Sequence, residues 1–146
     1  MDEEVFPVAS PTYRNGRLPR RFADLARCTL LLHTSQPWEP WFQAAWLDMA
    51  TPRDAPVFTE TQSLLDAVLS GEGIALGRRS LIADALADGR LIQLRSRSII
   101  DVHAYYLVWR ADCSKLVAID ALRAWLHSEI TAPDLMRTSR GGGAKR

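Results

Sequence analysis

Apolar positions along this chain come in short blocks, and the spacing within each block sets what it can form. Val5–Ala9 is apolar and ends at Ser10-Pro11. Pro11 has no backbone N–H and restricts the residue before it, so a short strand is predicted to stop there. Thr12 to Arg21 is a polar loop with the turn dipeptide Asn15-Gly16. Phe22 to Arg27 predicts one or two helical turns, and Thr29-Leu-Leu-Leu32 a buried strand. Pro37-Trp38-Glu39-Pro40 suits a helix entrance, where the first N–H groups lack intrahelical partners anyway. Trp38, Trp41, Phe42, Ala45, Trp46 and Met49 then recur at three- and four-residue spacing and predict one helical face, ended by Thr51-Pro52. Pro56 to Phe58 predicts a short strand.

The next stretch is the most regular. Thr59 or Thr61 is expected to cap a helix through its hydroxyl, with Leu64, Leu65, Val68 and Leu69 inward and Gly71 as its stop. Gly73 to Leu76 predicts a buried strand broken at Gly77. Ser80 is expected to cap a second helix, with Leu81, Ile82, Ala85 and Leu86 inward and Gly89 as its stop, before a strand over Leu91–Leu94. Ala104 to Trp109 is rich in strand-favouring residues. Ser114 is expected to cap a last helix, lined on one face by Leu116, Ile119, Leu122, Leu126 and Ile130. From Thr131 the chain is polar and reads as a frayed tail. Strands alternating with helices predict an α/β fold with a largely parallel sheet. Such folds bind ligands beyond the C-terminal ends of strands, near helix N-termini.

Composition narrows the function. A chain of 146 residues can build one domain with a hydrophobic core, and its apolar fraction of 47% and charged fraction of 24% are ordinary for a globular protein. The net charge of +1 does not suggest a dedicated nucleic-acid binder; the basic cluster that stands out is Arg137, Arg140, Lys145 and Arg146, which reads as a solvated tail. Cys28 and Cys113 form no metal-ligand spacing, so neither metal nor cofactor is expected. The acidic start is not a signal peptide, and no apolar run approaches the ~20 residues of a membrane span, so a cytoplasmic protein is expected. Catalytic motifs are missing too: there is no G-x-S-x-G, no H-E-x-x-H and no phosphate loop. Gly71-Glu72-Gly73 follows a helix and opens a strand, the reverse of a dinucleotide fingerprint. His33, His103 and His127 fall on separate elements. An enzyme is therefore not expected.

Two groups of residues invite a binding role. Trp38, Trp41 and Trp46 could cage a cation, although packing into a core is the commoner fate of an aromatic stripe. Trp38, at the helix entrance, is expected to be the most exposed of the three. At Phe58-Thr59-Glu60-Thr61 a strand hands over to a helix. Unpaired N–H groups, the helix dipole and two hydroxyls could hold a carboxylate there, or the hydroxyls could serve only as caps.

Taken in order, several segments resemble LysR-type effector domains. Glu3-Glu4-Val5-Phe6-Pro7-Val8-Ala9-Ser10-Pro11 resembles their crossover segment, and Asp24-Leu25 with Leu31-Leu32-His33 the entry to their second subdomain. Trp38-Glu-Pro-Trp41 and Gly71-Glu-Gly-Ile-Ala-Leu-Gly-Arg-Arg-Ser80 resemble the branch that includes glycine-cleavage activators. Ala87-Asp-Gly-Arg-Leu91, Ala104-Tyr-Tyr-Leu-Val108 and Leu122-Arg-Ala-Trp-Leu126 continue the series. The resemblance implies a type II periplasmic-binding-protein-like fold of two α/β subdomains with an inducer in the cleft between them. By it, residues 1–24 are a crossover strand and loop, and 25–102 a complete second subdomain. Residues 103–130 are the return crossover strand and C-terminal helix of a partial first subdomain, and 131–146 the tail. It further implies an inducer, carboxylate or amino-acid-like, meeting Thr59, Glu60 and Thr61, with Ser10 and His33 at the cleft and Tyr105 or Tyr106 at the second hinge. Members of the family begin with a winged helix-turn-helix. None precedes Met1 here, so the expectation is a truncated regulator that reaches DNA only through the missing head and forms a homo-oligomer. The alternative is an interaction fragment that dimerises through its exposed half-core and binds no ligand.

Overall fold

The computed structural model describes residues 2–94, 97–110 and 112–131. Its centre is β1, Glu4–Ala9, buried along nearly its whole length. Alternate side chains of a strand point to opposite faces. Val5 and Ala9 accordingly join a cluster with Trp38, Trp41 and Phe42, while Phe6 and Val8 join another with Leu64, Val68 and Ile82. β4 (Ala75–Arg78) pairs with β1 on one side; β5 (Ile92–Gln93) and β6 (Ile99–Ile100) pair with it on the other, all antiparallel. β2 (Leu32–His33) and β3 (Val57–Phe58) pair in parallel, and a parallel bridge from Leu30 to Ile74 carries this pair onto the β4 side. Every strand except β1 therefore runs the same way. The expected largely parallel sheet is corrected in this respect: its central strand is reversed, so three of its ladders are antiparallel.

Helices cover both faces. α2 (Thr61–Leu69) and α3 (Arg79–Ala87) bury Leu64, Val68, Ile82 and Ala85 against one face, forming the second cluster. On the other lie α1 (Glu39–Ala44) and two short 3-10 turns, Tyr13–Gly16 and Phe22–Arg27. Gly71 and Gly89 take positive φ just past α2 and α3, as their spacing predicts. Gly77 lies within β4 instead of breaking it; a Cβ there would come within 2.6 Å of Ile82 and 2.9 Å of Val8. Its smallness lets α3 approach the sheet.

Several expectations change. The aromatic helix stops at Ala44, because Trp46 adopts φ 57° and Leu47 N–H turns back to the Phe42 carbonyl. Trp46 is 87% exposed, and Trp38, expected to be the most exposed, is 1% exposed. The Trp38 indole N–H donates to the Leu31 carbonyl at 3.2 Å, and its ring meets Trp41 edge-on and stacks on Phe42. Trp38 and Trp41 form core and Trp46 stands apart from them in solvent, so the three make no cage. Tyr13, assigned to a polar loop, is buried, and its phenol oxygen accepts the Thr29 N–H at 2.9 Å. Leu81, expected inward, is exposed.

The chain divides into two compact units, Met1–Tyr105 and Tyr106–Arg146. Within the first unit β1 is the middle of the sheet, between β4 and β5. No strand forms over Ala104–Trp109 among the described residues; strand propensity yields a strand only where a partner completes the ladder. In the second unit α4 spans Leu116–Thr131, with Leu116, Val117, Leu122 and Trp125 exposed and Ile119 and Leu126 half-buried. Its last stripe position, the Ile130 side chain, and the tail from residue 132 lie outside the described residues.

Close approach makes one substitution informative. A Cβ on Gly73 would lie 2.6 Å from Leu31 Cγ and 2.8 Å from the Thr29 carbonyl oxygen, which is backbone and cannot swing away. Gly73→Ala is expected to lower stability by about 1–3 kcal/mol, the usual cost of overpacking, read as a lower urea midpoint at unchanged m-value.

Candidate functional site

The C-terminal ends of β2 and β3 meet the start of α2. Thr34 N–H donates to the Phe58 carbonyl at 3.0 Å, holding the two strand ends together. His33, the last residue of β2, has hydroxyls at both ring nitrogens: Ser35 Oγ lies 2.9 Å from Nδ1 and Thr61 Oγ1 lies 3.4 Å from Nε2. Ser35 N–H also donates to Nδ1 at 3.2 Å. Glu60 stands at the N-cap of α2 with no side-chain cap bond. The first-turn N–H groups of α2 therefore gain no acceptor from the capping hydroxyl expected of Thr59 or Thr61. The Thr61 hydroxyl is turned to His33 instead. Thr59 and Glu60 are exposed.

Beside this cluster is a hollow of about 290 Å³, floored by Val5 and Leu76 and rimmed by Ser35, Gln36, Asp101 and His103. Ser35 belongs to both. The polar rim is tied together: Gln36 donates to Asp101 Oδ2 at 3.1 Å, Arg78 Nε lies 3.1 Å from the same oxygen, and His103 engages Oδ1 through its backbone N–H and its ring. Burial works against the Asp101 carboxylate, but the two hydrogen bonds from His103 and the charge of Arg78 outweigh it and hold its pKa below the usual carboxylate range.

The same end of the sheet carries two more carboxylates. Glu3, 2% exposed, accepts the Ser80 N–H at 3.0 Å and the Ser80 hydroxyl. Ser80 was expected to cap α3; it lies inside the helix, and Glu3 satisfies one of its first-turn donors from across the sheet, where the helix dipole favours an anion. Glu4 binds Ser98 and Arg79, and these bonds, that to Ser98 foremost, lower its pKa. At the opposite end of the sheet, beyond the last residue of the reversed β1, is Ser10. It is buried, its hydroxyl 2.8 Å from that of Thr12, and the structure does not bring it to His33 and Thr61. Tyr105 closes the first unit and is half-exposed. Ser35, Gln36 and Asp101 were missed as site residues. The signal for Ser35 and Gln36 was their place just past a strand end; Asp101 had none, since only the sheet register brings it to Arg78. No group of three or more metal-binding side chains occurs among the described residues, and burial raises the pKa of the Cys28 thiol, leaving it a poor nucleophile.

A reversed strand inside an otherwise parallel sheet, with a mainly apolar hollow carrying polar groups on its rim at the C-terminal strand ends, is the setting in which the sequence comparisons bear. The sequence model for the LysR substrate binding domain matches residues 1–131. The chain belongs to the LysR substrate-binding-domain family. It is 28% identical over 132 residues to the glycine cleavage system transcriptional activator of Escherichia coli K12, covering 89% of this chain and 43% of that protein. It is 34% identical over 108 residues to the HTH-type transcriptional activator AmpR of Rhodobacter capsulatus, covering 73% of this chain and 37% of that one. The effector domain of the transcriptional regulator AmpR of Pseudomonas aeruginosa superposes with a TM-score of 0.70 at 27% identity, over 88% of this chain and 62% of that domain. The chain thus spans less than half the length of the curated relatives it matches. These relatives are transcription regulators, not enzymes. The periplasmic-binding-protein-like α/β fold of LysR effector domains is the fold of this chain.

The lowered pKa of Asp101 has a directional consequence. Its ties contribute stability above the ordinary carboxylate pKa of about 3.9, and that contribution is lost as pH falls through the lower folded value. Asp101→Asn is expected to be less stable than the parent at pH 6, with the gap between their urea midpoints closing as the pH is lowered through the acid range.

Proposed function

We propose that this chain is the effector-sensing part of a LysR-type transcription regulator and that it binds a small carboxylate or amino-acid-like inducer. The observation that carries the reading is the position of Ser35, which joins the His33–Thr61 cluster to the hollow at the C-terminal end of the sheet. A ligand carboxylate would meet the Thr61 hydroxyl, His33 and the first-turn N–H groups of α2. An ammonium group on the same molecule would suit the exposed carboxylate of Glu60. In this reading the base sequence of DNA is read by a helix-turn-helix of the regulator and not by this segment, and the protein works in the cytoplasm.

Titrating the chain with amino acids and small carboxylates by calorimetry tests the proposal. Thr61→Val should weaken binding by about 1.5–3 kcal/mol if the hydroxyl meets a charged group, and should leave the melting temperature nearly unchanged because Thr61 makes no cap bond. A lowered melting temperature with unaltered affinity would mean that Thr61 serves only the fold.

One observation favours a second reading. The exposed Leu116, Val117, Leu122 and Trp125 of α4 form apolar surface that a second copy of the chain could cover. Hydrogen exchange in a concentration series separates the two readings. As a monomer, residues 25–102 should be protected and 115–129 poorly protected. Protection over 115–129 that rises with concentration, together with failure to bind any carboxylate tested, would favour an interaction module.

A further inference from the structure

The loop that leaves β1 carries Arg14, Arg17, Arg20, Arg21 and Arg27 within fourteen residues, against a single carboxylate, Asp24. All five arginines are exposed. Four of them, with Asp24 and Cys28, line an open hollow of about 480 Å³. Asp24 offsets only one of the five charges, and its Oδ2 accepts the backbone N–H groups of Arg20 and Arg21 at 3.1 and 2.8 Å instead of pairing with a guanidinium. Among the described residues none of these guanidinium groups forms an ion pair, whereas Arg78, Arg79 and Arg90 each sit against a carboxylate. The loop is held firmly. Tyr13 is buried and bonded to Thr29, Leu25 is buried, and Phe22 packs edge-on against Trp41 at 5.3 Å. Its cations are thus displayed from an anchored platform, which lessens the ordering cost of binding.

We propose that this face binds the phosphodiester backbone of DNA without reading its sequence. Every cation in the loop is arginine, whose planar fork matches phosphate oxygens and keeps its charge at any working pH. The hollow is open rather than enclosed, as suits a chain of phosphates crossing it more than a small ligand sealed within it. The relatives are HTH-type regulators, so duplex DNA is the polyanion that such a surface would meet. The face lies around Ser10 and Thr29, at the opposite end of the sheet from His33 and Thr61, so phosphate binding here and effector binding there do not compete for residues.

The test is fluorescence anisotropy with a labelled duplex of arbitrary sequence, about two helical turns long, titrated over a range of salt. Binding to the unaltered chain should be measurable at roughly 50 mM salt and fall linearly on a log–log plot. Arg17→Gln combined with Arg20→Gln should weaken it roughly tenfold and reduce the salt slope by about 2, since each phosphate left unneutralised removes about 0.9 from the slope. Both side chains are exposed and without ion-pair partners, so the fold should survive, and near-UV circular dichroism checks this. The Arg17→Lys, Arg20→Lys pair should restore most of the slope. Replacing Arg137, Arg140, Lys145 and Arg146 by Gln should matter less than the loop pair. The proposal is overturned if the loop pair binds as the parent does, if the tail substitutions alone abolish binding, if no binding is seen at low salt, or if polyglutamate of equal charge competes as well as DNA.

Discussion

The constraint on which the rest of the structure depends is the placement of β1, a reversed strand buried on both faces. It pairs with β4 on one side, where Gly77 lets α3 approach the sheet, and with β5 and β6 on the other. Pro7 shows how closely the sequence is fitted to that role. A proline in a central strand removes a ladder donor. The Pro7 carbonyl accepts the Leu94 N–H, so its donorless nitrogen faces the same side, where pairing passes from β5 to β6 and the register slips by three residues. The missing N–H falls where the ladder is already interrupted.

The start of the same strand organises the electrostatics of the candidate site. Glu3 ties β1 to the first turn of α3, and Glu4 ties it to Arg79 and Ser98. Asp101, entering through the Glu3 carbonyl that accepts its N–H, gathers Arg78, Gln36 and His103. Each carboxylate is held by hydrogen-bond donors or cations, as burial demands. Residues 99–103 line the hollow and are also the stretch by which the chain leaves the first unit at Tyr105.

Much of the second half of the first unit was legible in advance, because its signals are local. The inward stripe of α2, the positive-φ glycines after α2 and α3, and the short strand ends follow from periods and turn chemistry confined to a few neighbouring residues. The ordered series of motifs also led to the LysR substrate-binding-domain family. The aromatic helix was misread for a physical reason. The apolar period continues to Met49, but Trp46 takes a left-handed turn that no spacing announces, and the burial of Trp38 depends on a carbonyl seven residues earlier at Leu31.

From the sequence by itself came the α/β class, the helices α2 and α3 with their stops, the family, and the strand-to-helix handover at Thr59–Thr61 as a place of interest. Tertiary structure alone decided that β1 runs against its neighbours, that Ser10 therefore lies away from His33 while Ser35 and Asp101 share a hollow, that Glu3 and not Ser80 serves the start of α3, and that the loop arginines surround one face. The division has a single cause. Period, turn and cap are set by neighbours within a few residues, whereas strand direction and register are set by pairing between distant segments. They determine which ends of the sheet coincide, and with them which side chains can meet.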